Sequence, residues 1–441
     1  MSKRLYFLFG AALAAVAMWL WVQRIAIPHQ QTDSAVRGIP RGNLSDLYPR
    51  WLGARELLLH HRDPYRSDLT LEIQQGYYGR VLDPSRPNDP KDQQAFAYPL
   101  YVVFVLAPTI GFPFAVVQRL FLYFLVALTA ASVLLWLRAL DWHLSLSSKL
   151  IWIVLVLGSF PAIQGFKLQQ LTLLVAGLIA ISMAAISSGR LVWAAIALAV
   201  ASIKPQLVFL VVLWLCIWVF GNWCQRRRLF WSMALSAAAL VAGAEVLLPG
   251  WIQEFRAASA AYYQYTGGGR SVLDVLLSPI AGRVVSAFLV IALLIALWRW
   301  RRAPETSSEF QYSLALVLAT TLTVIPMFAP YNHLLLIPVL MLIVRAIRDL
   351  WAKSAISRGL TAIAVLTVFW PWIAAAGLMI ANFFLPRAVV LNAWALPIYT
   401  SLAIPITVLA LVWVSRNVLL AQKDLLQTPS PRTLRQGAKA E

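Results

Sequence analysis

Apolar residues in this chain come in long runs, separated by short polar or basic stretches. Runs of about 18 or more apolar residues predict membrane-spanning helices, whereas barrel strands alternate apolar and polar positions over about ten residues. The first run covers 5–27, and a polar segment, 28–97, follows it. Apolar segments then recur at 98–112, 114–138, 148–163, 168–188, 191–203, 205–220, 229–248, 282–300, 311–328, 332–347, 359–383 and 393–415. We therefore expect an all-α, polytopic membrane protein with about twelve transmembrane helices.

Two topologies fit the segments that are shorter than the roughly 20 residues of a perpendicular span. In the first, 98–112 crosses the membrane and 191–220 is one long span. In the second, 98–112 is re-entrant or interfacial, and 191–203 and 205–220 form a hairpin that is broken at a proline. Residue spacing alone leaves both open.

Basic residues lie in short clusters between the apolar segments, and they favour the second topology. It places Arg138, Lys149 and Arg190 on the cytoplasmic side, where the positive-inside rule expects them. Lys3 and Arg4 precede the first apolar run, which is longer than a signal-peptide core and lacks a convincing cleavage site. We therefore expect an uncleaved first helix with a cytoplasmic N-terminus.

Composition agrees with a membrane protein. The 441 residues are 60% hydrophobic and only 12% charged, with a mean hydropathy of +0.72, while soluble domains carry about 25% charged residues. The net charge of +19 does not indicate nucleic-acid binding, because cytoplasmic loops of membrane proteins carry such basic clusters. Cys216 and Cys224 have no metal-ligand neighbours in sequence and support no disulfide framework.

These patterns divide the chain into five parts. The predicted parts are a first transmembrane helix (1–27), an external loop with amphipathic helices (28–97), core helices (98–220), C-terminal transmembrane helices (221–420, with an external loop at 249–281) and a disordered cytoplasmic tail (421–441).

The stretch NLSDLYPRWLGARELLLHHRDPY, 43–65, places eight charged or histidine residues just after the first apolar run. Pro49 suits the first turn of a helix, and the leucines that follow form one apolar stripe, so an amphipathic interfacial helix is predicted. Asp46 directly precedes that helix, at the expected membrane interface. It is either a helix cap, a role that Ser45 also suits, or a functional carboxylate. Asp63, in the DPY turn, is expected to be structural.

Polar residues at the ends or breaks of apolar spans are the other candidates for chemistry, because such groups are costly in a membrane. Lys204 stands between two apolar runs and before Pro205; it either snorkels to the interface or pairs with a phosphate. His333 heads an apolar helix and is either an interfacial residue or a functional one. Further candidates that could line a substrate site are Tyr98, Gln169, Gln206, Tyr331, Asn332 and, in an outer aromatic loop, Tyr262.

Taken together, these motifs resemble the GT-C class of membrane glycosyltransferases, and more closely glycosyltransferase family 87, the polyprenyl-phosphate-mannose-dependent mannosyltransferases of bacterial envelopes. The resemblance runs from about Leu44 to the last helices. It rests on the order and spacing of SDLYPRWLGARELLLHHRDPY, FAYPLYVVFVLAP, QQLTLLVAGL, KPQLVFLVVLWL, PGWIQEFRAASAAYYQYTGGGRS and PYNHLLLIPVL. Where the family often has Gly-Gln before its leucine-rich helix, this chain has Gln169 and Gln170.

The resemblance implies a GT-C fold and an inverting transfer of a hexose, mannose in the family, at the external face. The family's acidic residue of the first external loop, taken as the general base, corresponds to Asp46. Lys204 and His333, with Arg50 of the predicted helix, are implied to bind the donor phosphate. The implied partners are a polyprenyl-phosphate sugar, a lipid or glycan acceptor and the lipids of the cell's plasma (inner) membrane.

Neither a cofactor nor a metal is expected, since no acidic cluster with ligand spacing is visible in the sequence. A transporter or lipid flippase without transferase activity is the alternative. It predicts charged residues along a central path, often with repeat symmetry. Here the polar candidates gather on one face of the membrane, which favours an enzyme.

Overall fold

The computed structural model describes residues 3–38, 45–266 and 269–421, so all but the first residue of the predicted tail lies outside the described part. Over these residues the chain is helical without any strand, which confirms the all-α class. The first helices are α1 (Lys3–Trp21), α2 (Ile27–Val36), α3 (Leu47–His60), α4 (Ser67–Tyr78), α5 (Val102–Leu106), α6 (Phe114–Ala139), α7 (Leu146–Leu157), α8 (Phe160–Leu168), α9 (Leu171–Ile186), α10 (Leu191–Ala201) and α11 (Pro205–Gly221).

The remaining helices begin at Trp223. They are α12 (Trp223–Leu247), α13 (Trp251–Tyr265), α14 (Val272–Leu276), α15 (Pro279–Arg299), α16 (Ser308–Val324), α17 (Ile337–Arg345), α18 (Ile347–Lys353), α19 (Ala355–Ala381), α20 (Arg387–Asn392), α21 (Ala403–Val414) and α22 (Arg416–Ala421). A π-turn occupies Val22–Ala26, and 3-10 turns occupy Ala107–Thr109, Pro330–Leu336 and Leu396–Ile398.

Six helical segments of the described chain are long and apolar enough to cross a membrane. The pair α7 and α8, which bends by 56° at its break, makes a seventh. Four shorter apolar segments follow, namely α9, α10, α11 and Pro330–Arg345. Six or seven segments of the described chain are thus long enough to span, and the expected number of about twelve stays a prediction. The chain is therefore a multi-pass membrane protein.

The first helical segment extends further than the sequence predicts. It continues to Val36 instead of ending near residue 27, because the polar residues after Pro28 are compatible with a helix. Pro28 lies at the start of α2, directly after the π-turn that accommodates its missing N–H. An ion pair of 3.1 Å between Arg37 and Asp33 supports the last turn. The helix therefore continues into the polar segment that follows the first apolar run.

The structure distinguishes between the two topologies. Residues 98–112 contain only the five-residue α5 and a 3-10 turn, which are too short to span. The 191–220 region is two helices with a break at 202–204, after which Pro205 begins α11. Arg190, which directly precedes α10, and Cys224, in the first turn of α12 just after the end of α11, line one common cleft. The chain therefore turns back at the break, as in the second topology.

The bundle has two chemically different ends. We call the end at which Lys204 lies the cavity end and the opposite one the arginine end. At the arginine end, Arg226 donates to the carbonyls of Trp218, Arg301 and Ala303 at 2.8 to 3.0 Å. These buried contacts join α11 and α12 to the α15–α16 loop.

At the cavity end, α3 and α4 form a layer over the bundle. The predicted helix after Asp46 is present as α3, but its apolar face packs on the protein core, with Leu47, Trp51 and Leu57 buried. Its charges pair within the layer: Arg62 contacts Glu56 at 2.8 Å. The helix is thus held by protein contacts and by ion pairs among its own charges.

Candidate active site

A polar cavity of about 340 Å³ lies at the cavity end, where the α3 layer, the α10–α11 break and α13 meet. Seven of the predicted site residues converge there with Asp46. Its walls are formed by Asp46, Arg50, Asp92, Gln94, Ala97, Tyr98, Pro99, Gln170, Ile203, Lys204, Pro205, Gln206, Phe255, Ser259, Tyr262, Tyr263, Met327, Tyr331 and Asn332.

Asp46 directs its carboxylate into this cavity and does not cap α3 through its side chain. Oδ1 accepts a hydrogen bond of 3.1 Å from the Tyr77 hydroxyl, and Oδ2 accepts one from Nε2 of Gln170. The Asp46 N–H donates to the carbonyl of Leu168 at 3.0 Å, which fixes the residue against the α8–α9 junction. The alternative in which Asp46 is only a helix cap is therefore wrong, and Ser45 instead bonds Gln169.

Lys204 is buried at the start of α11, with 7% of its surface exposed. Its Nζ donates to Oε1 of Gln170 at 2.9 Å and to Oγ1 of Thr172 at 2.8 Å. The rings of Tyr98 and Tyr331 lie 5.7 and 5.4 Å from the same nitrogen, at distances typical of cation–π contacts. The ammonium group therefore has only neutral neighbours among its described contacts and one further N–H for a ligand. It is not a lysine that snorkels into solvent.

Gln170 joins these two groups through its side-chain amide. Because a lysine only donates and a carboxylate only accepts, the amide oxygen must face Lys204 and the amide nitrogen must face Asp46. Thr172 extends the network by donating to Oδ1 of Asn332 at 3.2 Å. A continuous hydrogen-bond chain thus runs across the cavity from Tyr77 to Asn332.

Arg50 supplies a second cation to the cavity. Its Nη1 donates to the Asp46 carbonyl at 2.8 Å, and its guanidinium carbon lies 4.7 Å from the centre of the Tyr98 ring. Its buried Nε has no hydrogen-bond partner within the described chain. Arg50 and Lys204 therefore flank Tyr98, and both present donors to an anion that enters the cavity.

Asp92 is a second carboxylate in the cavity wall, and no sequence pattern singles it out. Its oxygens accept hydrogen bonds from the N–H and the side-chain amide of Gln94, at 2.9 and 3.0 Å. Burial raises the pKa of the Asp92 carboxyl, and the nearby Asp46 charge raises this pKa further, while Arg50 lowers it. Asp92 lies in a loop that contains several acidic residues and has no hydrophobic periodicity. Its place in the cavity is therefore visible only in the folded chain.

Helix α13 closes one side of the cavity with Phe255, Ser259, Tyr262 and Tyr263. Aromatic and hydroxyl groups at a polar cavity are the surface that a sugar ring contacts, through its apolar C–H faces and its hydroxyls. Burial raises the pKa of the Tyr262 hydroxyl, as does the negative charge of Asp92, so this hydroxyl stays protonated and can donate. The predicted role of the outer loop in substrate contact stays a prediction.

Two predicted site residues, Gln169 and His333, do not line the cavity. Gln169 adopts a left-handed backbone conformation, with φ of 49°, and its buried amide contacts Ser45 and the carbonyl of Gln118. Its neighbour Gln170 takes the place in the cavity that the sequence assigns to Gln169.

His333 instead lines a separate apolar groove of about 320 Å³ between α7, α8, α17 and α19. It is 6% exposed, its ring lies 5.5 Å from that of Phe328, and neither ring nitrogen has a hydrogen-bond partner within the described chain. The 3-10 turn Pro330–Leu336 explains this placement. With about three residues per turn, consecutive side chains point about 120° apart, so Tyr331 and Asn332 face the cavity while His333 faces the groove.

The described residues contain no group of three or more His, Cys, Asp and Glu side chains that are arranged for a metal ion. Asp46 and Asp92 are the two carboxylates of the cavity wall, and each is held by neutral donors from the chain itself. The described cavity wall thus carries two carboxylates together with two cations, Arg50 and Lys204.

Comparison with known proteins identifies the family. The family model described as glycosyltransferase family 87 matches residues 96–330, which is more than half of the chain. This range includes Lys204 and Tyr262, while Asp46 and Arg50 precede it. No curated protein and no solved structure matches the chain. The extent of the family match establishes that this multi-pass membrane protein belongs to glycosyltransferase family 87.

Proposed function

We propose that this membrane glycosyltransferase moves a hexose, mannose by family expectation, from a polyprenyl-phosphate donor to a lipid or glycan acceptor of the cell envelope. Asp46 is the general base, and Lys204 and Arg50 hold the donor phosphate. The observation that carries the proposal is the shared cavity, whose wall contains Asp46 together with the cations Lys204 and Arg50. In a direct displacement, the base and the phosphate site have to lie on opposite sides of the sugar. Gln170 hydrogen-bonds to Asp46 on one side and to Lys204 on the other, so these two groups do not contact each other.

The proposed reaction is a single displacement. The acceptor hydroxyl oxygen attacks the anomeric carbon and forms the new glycosidic bond, while the bond from that carbon to the phosphate oxygen breaks. The hydroxyl proton passes to the Asp46 carboxylate, and the bonding electrons leave with the polyprenyl phosphate. A positioned base contributes about 10²–10⁴-fold to such a step. Attack opposite the leaving group inverts the anomeric configuration.

Lys204 and Arg50 act on the leaving group. Negative charge grows on the phosphate oxygen as its bond to the sugar lengthens, and preorganised donors in a water-poor cavity stabilise that charge strongly. Lys204 has a free N–H and Arg50 a free Nε among the described contacts, so both can bind an entering oxyanion. The rings of Tyr98 and Tyr331 hold the ammonium group in place without neutralising it.

The apolar groove supports a lipid-linked donor. It is lined mainly by aliphatic and aromatic side chains, and it lies directly behind the Pro330–Leu336 turn, whose other side faces the cavity. A polyprenyl chain fits such a groove, because its isoprene units bury apolar surface there as they do in the bilayer. Among the described residues, His333 is the one ionisable side chain that lines the groove, and it is assigned to the phosphate end of the chain.

The distribution of charge supports an external cavity in the plasma membrane. Clusters at the arginine end include Arg226, Arg301 and Arg345, whose contacts bring α6, α11, α12 and α16 together there. Cytoplasmic loops carry such an excess of Lys and Arg. We therefore place the arginine end and the N-terminus in the cytoplasm, and the cavity outside.

A donor panel tests the proposal. Purified protein in bilayer nanodiscs is incubated with envelope lipids and with radiolabelled mannose on either a polyprenyl phosphate or a nucleoside diphosphate. We expect transfer from the polyprenyl donor alone, with the anomeric configuration of the product inverted relative to the donor. Transfer from the nucleotide donor alone, or retention of configuration, contradicts the proposal.

A further inference from the structure

The Gln170 amide occupies a position between two groups of opposite charge. It accepts from Nζ of Lys204 at 2.9 Å and donates to Oδ2 of Asp46, and it is 5% exposed. Asp46 and Lys204 form no ion pair with any described residue, although both line the same cavity. A neutral group therefore separates a carboxylate from an ammonium that would otherwise attract each other across a largely buried space.

The backbone fixes where this amide begins. Gln170 is the residue before α9, and its N–H donates to the carbonyl of Gly165 at 2.9 Å. The preceding Gln169 is in the left-handed region, so the chain reverses sharply and the two glutamine side chains point to different places. Reversal of the amide itself would set oxygen against carboxylate and nitrogen against ammonium, so both charges hold it in one orientation.

Direct contact of the two charges would disable both proposed roles. An opposite charge within about 4–6 Å favours the ionised form of a carboxylate and makes it a weaker base. A lysine that is paired with a carboxylate likewise has less positive potential to offer a phosphate. Tyr77 and Thr172 bond the other sides of Asp46 and Lys204, but among the described side chains only Gln170 hydrogen-bonds to both charged groups.

We propose that Gln170 is a positioning residue that keeps Asp46 and Lys204 apart, so that one remains a free base and the other a free phosphate-binding cation. The two roles rest on the proposed function, whereas the separation itself is a property of the folded chain. Gln170 acts through its neighbours and does not react.

Two variants test this role in different ways. Gln170→Met keeps the length of the side chain but removes both hydrogen bonds, so Asp46 and Lys204 are free to close into an ion pair. Gln170→Glu adds a charge that pairs with Lys204 and repels Asp46. Gln75→Glu is the matched control, because Gln75 is an exposed residue of α4 that adds the same charge outside the cavity.

The first measurement is a cryo-EM structure of Gln170→Met, which does not depend on any activity. We expect the Asp46 carboxylate and the Lys204 nitrogen within about 4 Å, the usual limit of an ion pair. If they stay apart as in the wild type, the proposal is overturned. Should the wild type fail to transfer from polyprenyl donors, the proposed function falls, and this structure still decides the role of Gln170.

The second measurement is the pH profile of transfer by Gln170→Glu. A like charge beside a carboxylate makes it harder to ionise, so we expect the acidic limb of kcat to move up by about one pH unit or more. The donor KM should rise about tenfold or more, since a charge-assisted contact to the phosphate is lost. If the acidic limb of the pH profile and the donor KM of Gln170→Glu equal those of Gln75→Glu, the result would falsify the positioning role, even if kcat falls.

Discussion

Replacing Lys204 with methionine separates the chemistry of the site from its stability. A unit charge about 4 Å from a phosphate oxygen interacts by about 4 kcal/mol at an effective dielectric constant of about 20. Only the part of this energy that grows as charge develops on the leaving group accelerates the reaction. If that part is half, the barrier rises by about 2 kcal/mol, which corresponds to a roughly 30-fold loss of kcat.

The structure predicts a much smaller effect on folding. Lys204→Met leaves Gln170 and Thr172 without their donor, at a cost of about 1–3 kcal/mol for each acceptor that stays buried and unpaired. It also removes an ammonium group that is buried without a counter-charge, which relieves several kcal/mol of desolvation. These terms oppose each other, so we expect an unfolding temperature close to that of the wild type.

The assay measures kcat and the donor KM for transfer from a polyprenyl-phosphate sugar, with thermal unfolding followed in the same detergent. Lys167→Met is the matched control, because Lys167 contacts Gln30 at the cavity end but does not line the cavity. A Lys204→Met protein that transfers at within threefold of the wild-type rate would refute the phosphate-binding role.

Three further predictions concern the other carboxylate and the groove. Asp92→Asn should leave kcat within about threefold of wild type if Asp46 is the base; a loss of about 10²-fold or more, the range expected for a base, assigns that role to Asp92 instead. Burial raises the pKa of Asp92 in the folded state, so the wild-type protein loses stability as the pH rises and this carboxyl ionises. The thermal stability of Asp92→Asn relative to wild type should therefore increase from pH 4 to pH 7. A difference in stability that stays constant over this range contradicts the raised pKa. His333→Phe should change the preference among donors of different polyprenyl length more than it changes kcat; equal KM changes for all chain lengths exclude the groove as the chain site.

Part of this site could be predicted from the sequence for a clear physical reason. A polar residue beside a proline inside an apolar run marks a break in a membrane helix, and such breaks lie where the protein lines a cavity. Lys204 before Pro205 and Tyr331 after Pro330 follow this rule, and both line the cavity. Asp46 follows a different signal, as a carboxylate in the charged stretch just after the first apolar run.

Other positions depended on local turns that the sequence does not specify. A left-handed residue at Gln169 exchanges the roles of two adjacent glutamines, and a 3-10 turn sends His333 away from its neighbour Asn332. Asp92 is brought into the cavity by the path of a long loop, for which hydrophobic periodicity gives no signal. Hydrophobic periodicity also misplaces the end of the first helical segment. The apolar pattern ends near residue 27, but the polar residues after Pro28 continue the helix.

The central claim is that the Asp46 carboxylate removes the acceptor proton. Asp46→Asn keeps the size of the side chain and an oxygen that can accept from Tyr77 or Gln170. The matched control is Asp68→Asn, because Asp68 is an exposed aspartate of α4 in the same layer of helices. Transfer from a radiolabelled polyprenyl-phosphate sugar is measured in nanodiscs. We predict that Asp46→Asn loses about 10²-fold or more in kcat, with Asp68→Asn near wild type. Near-normal transfer by a folded Asp46→Asn protein contradicts the account.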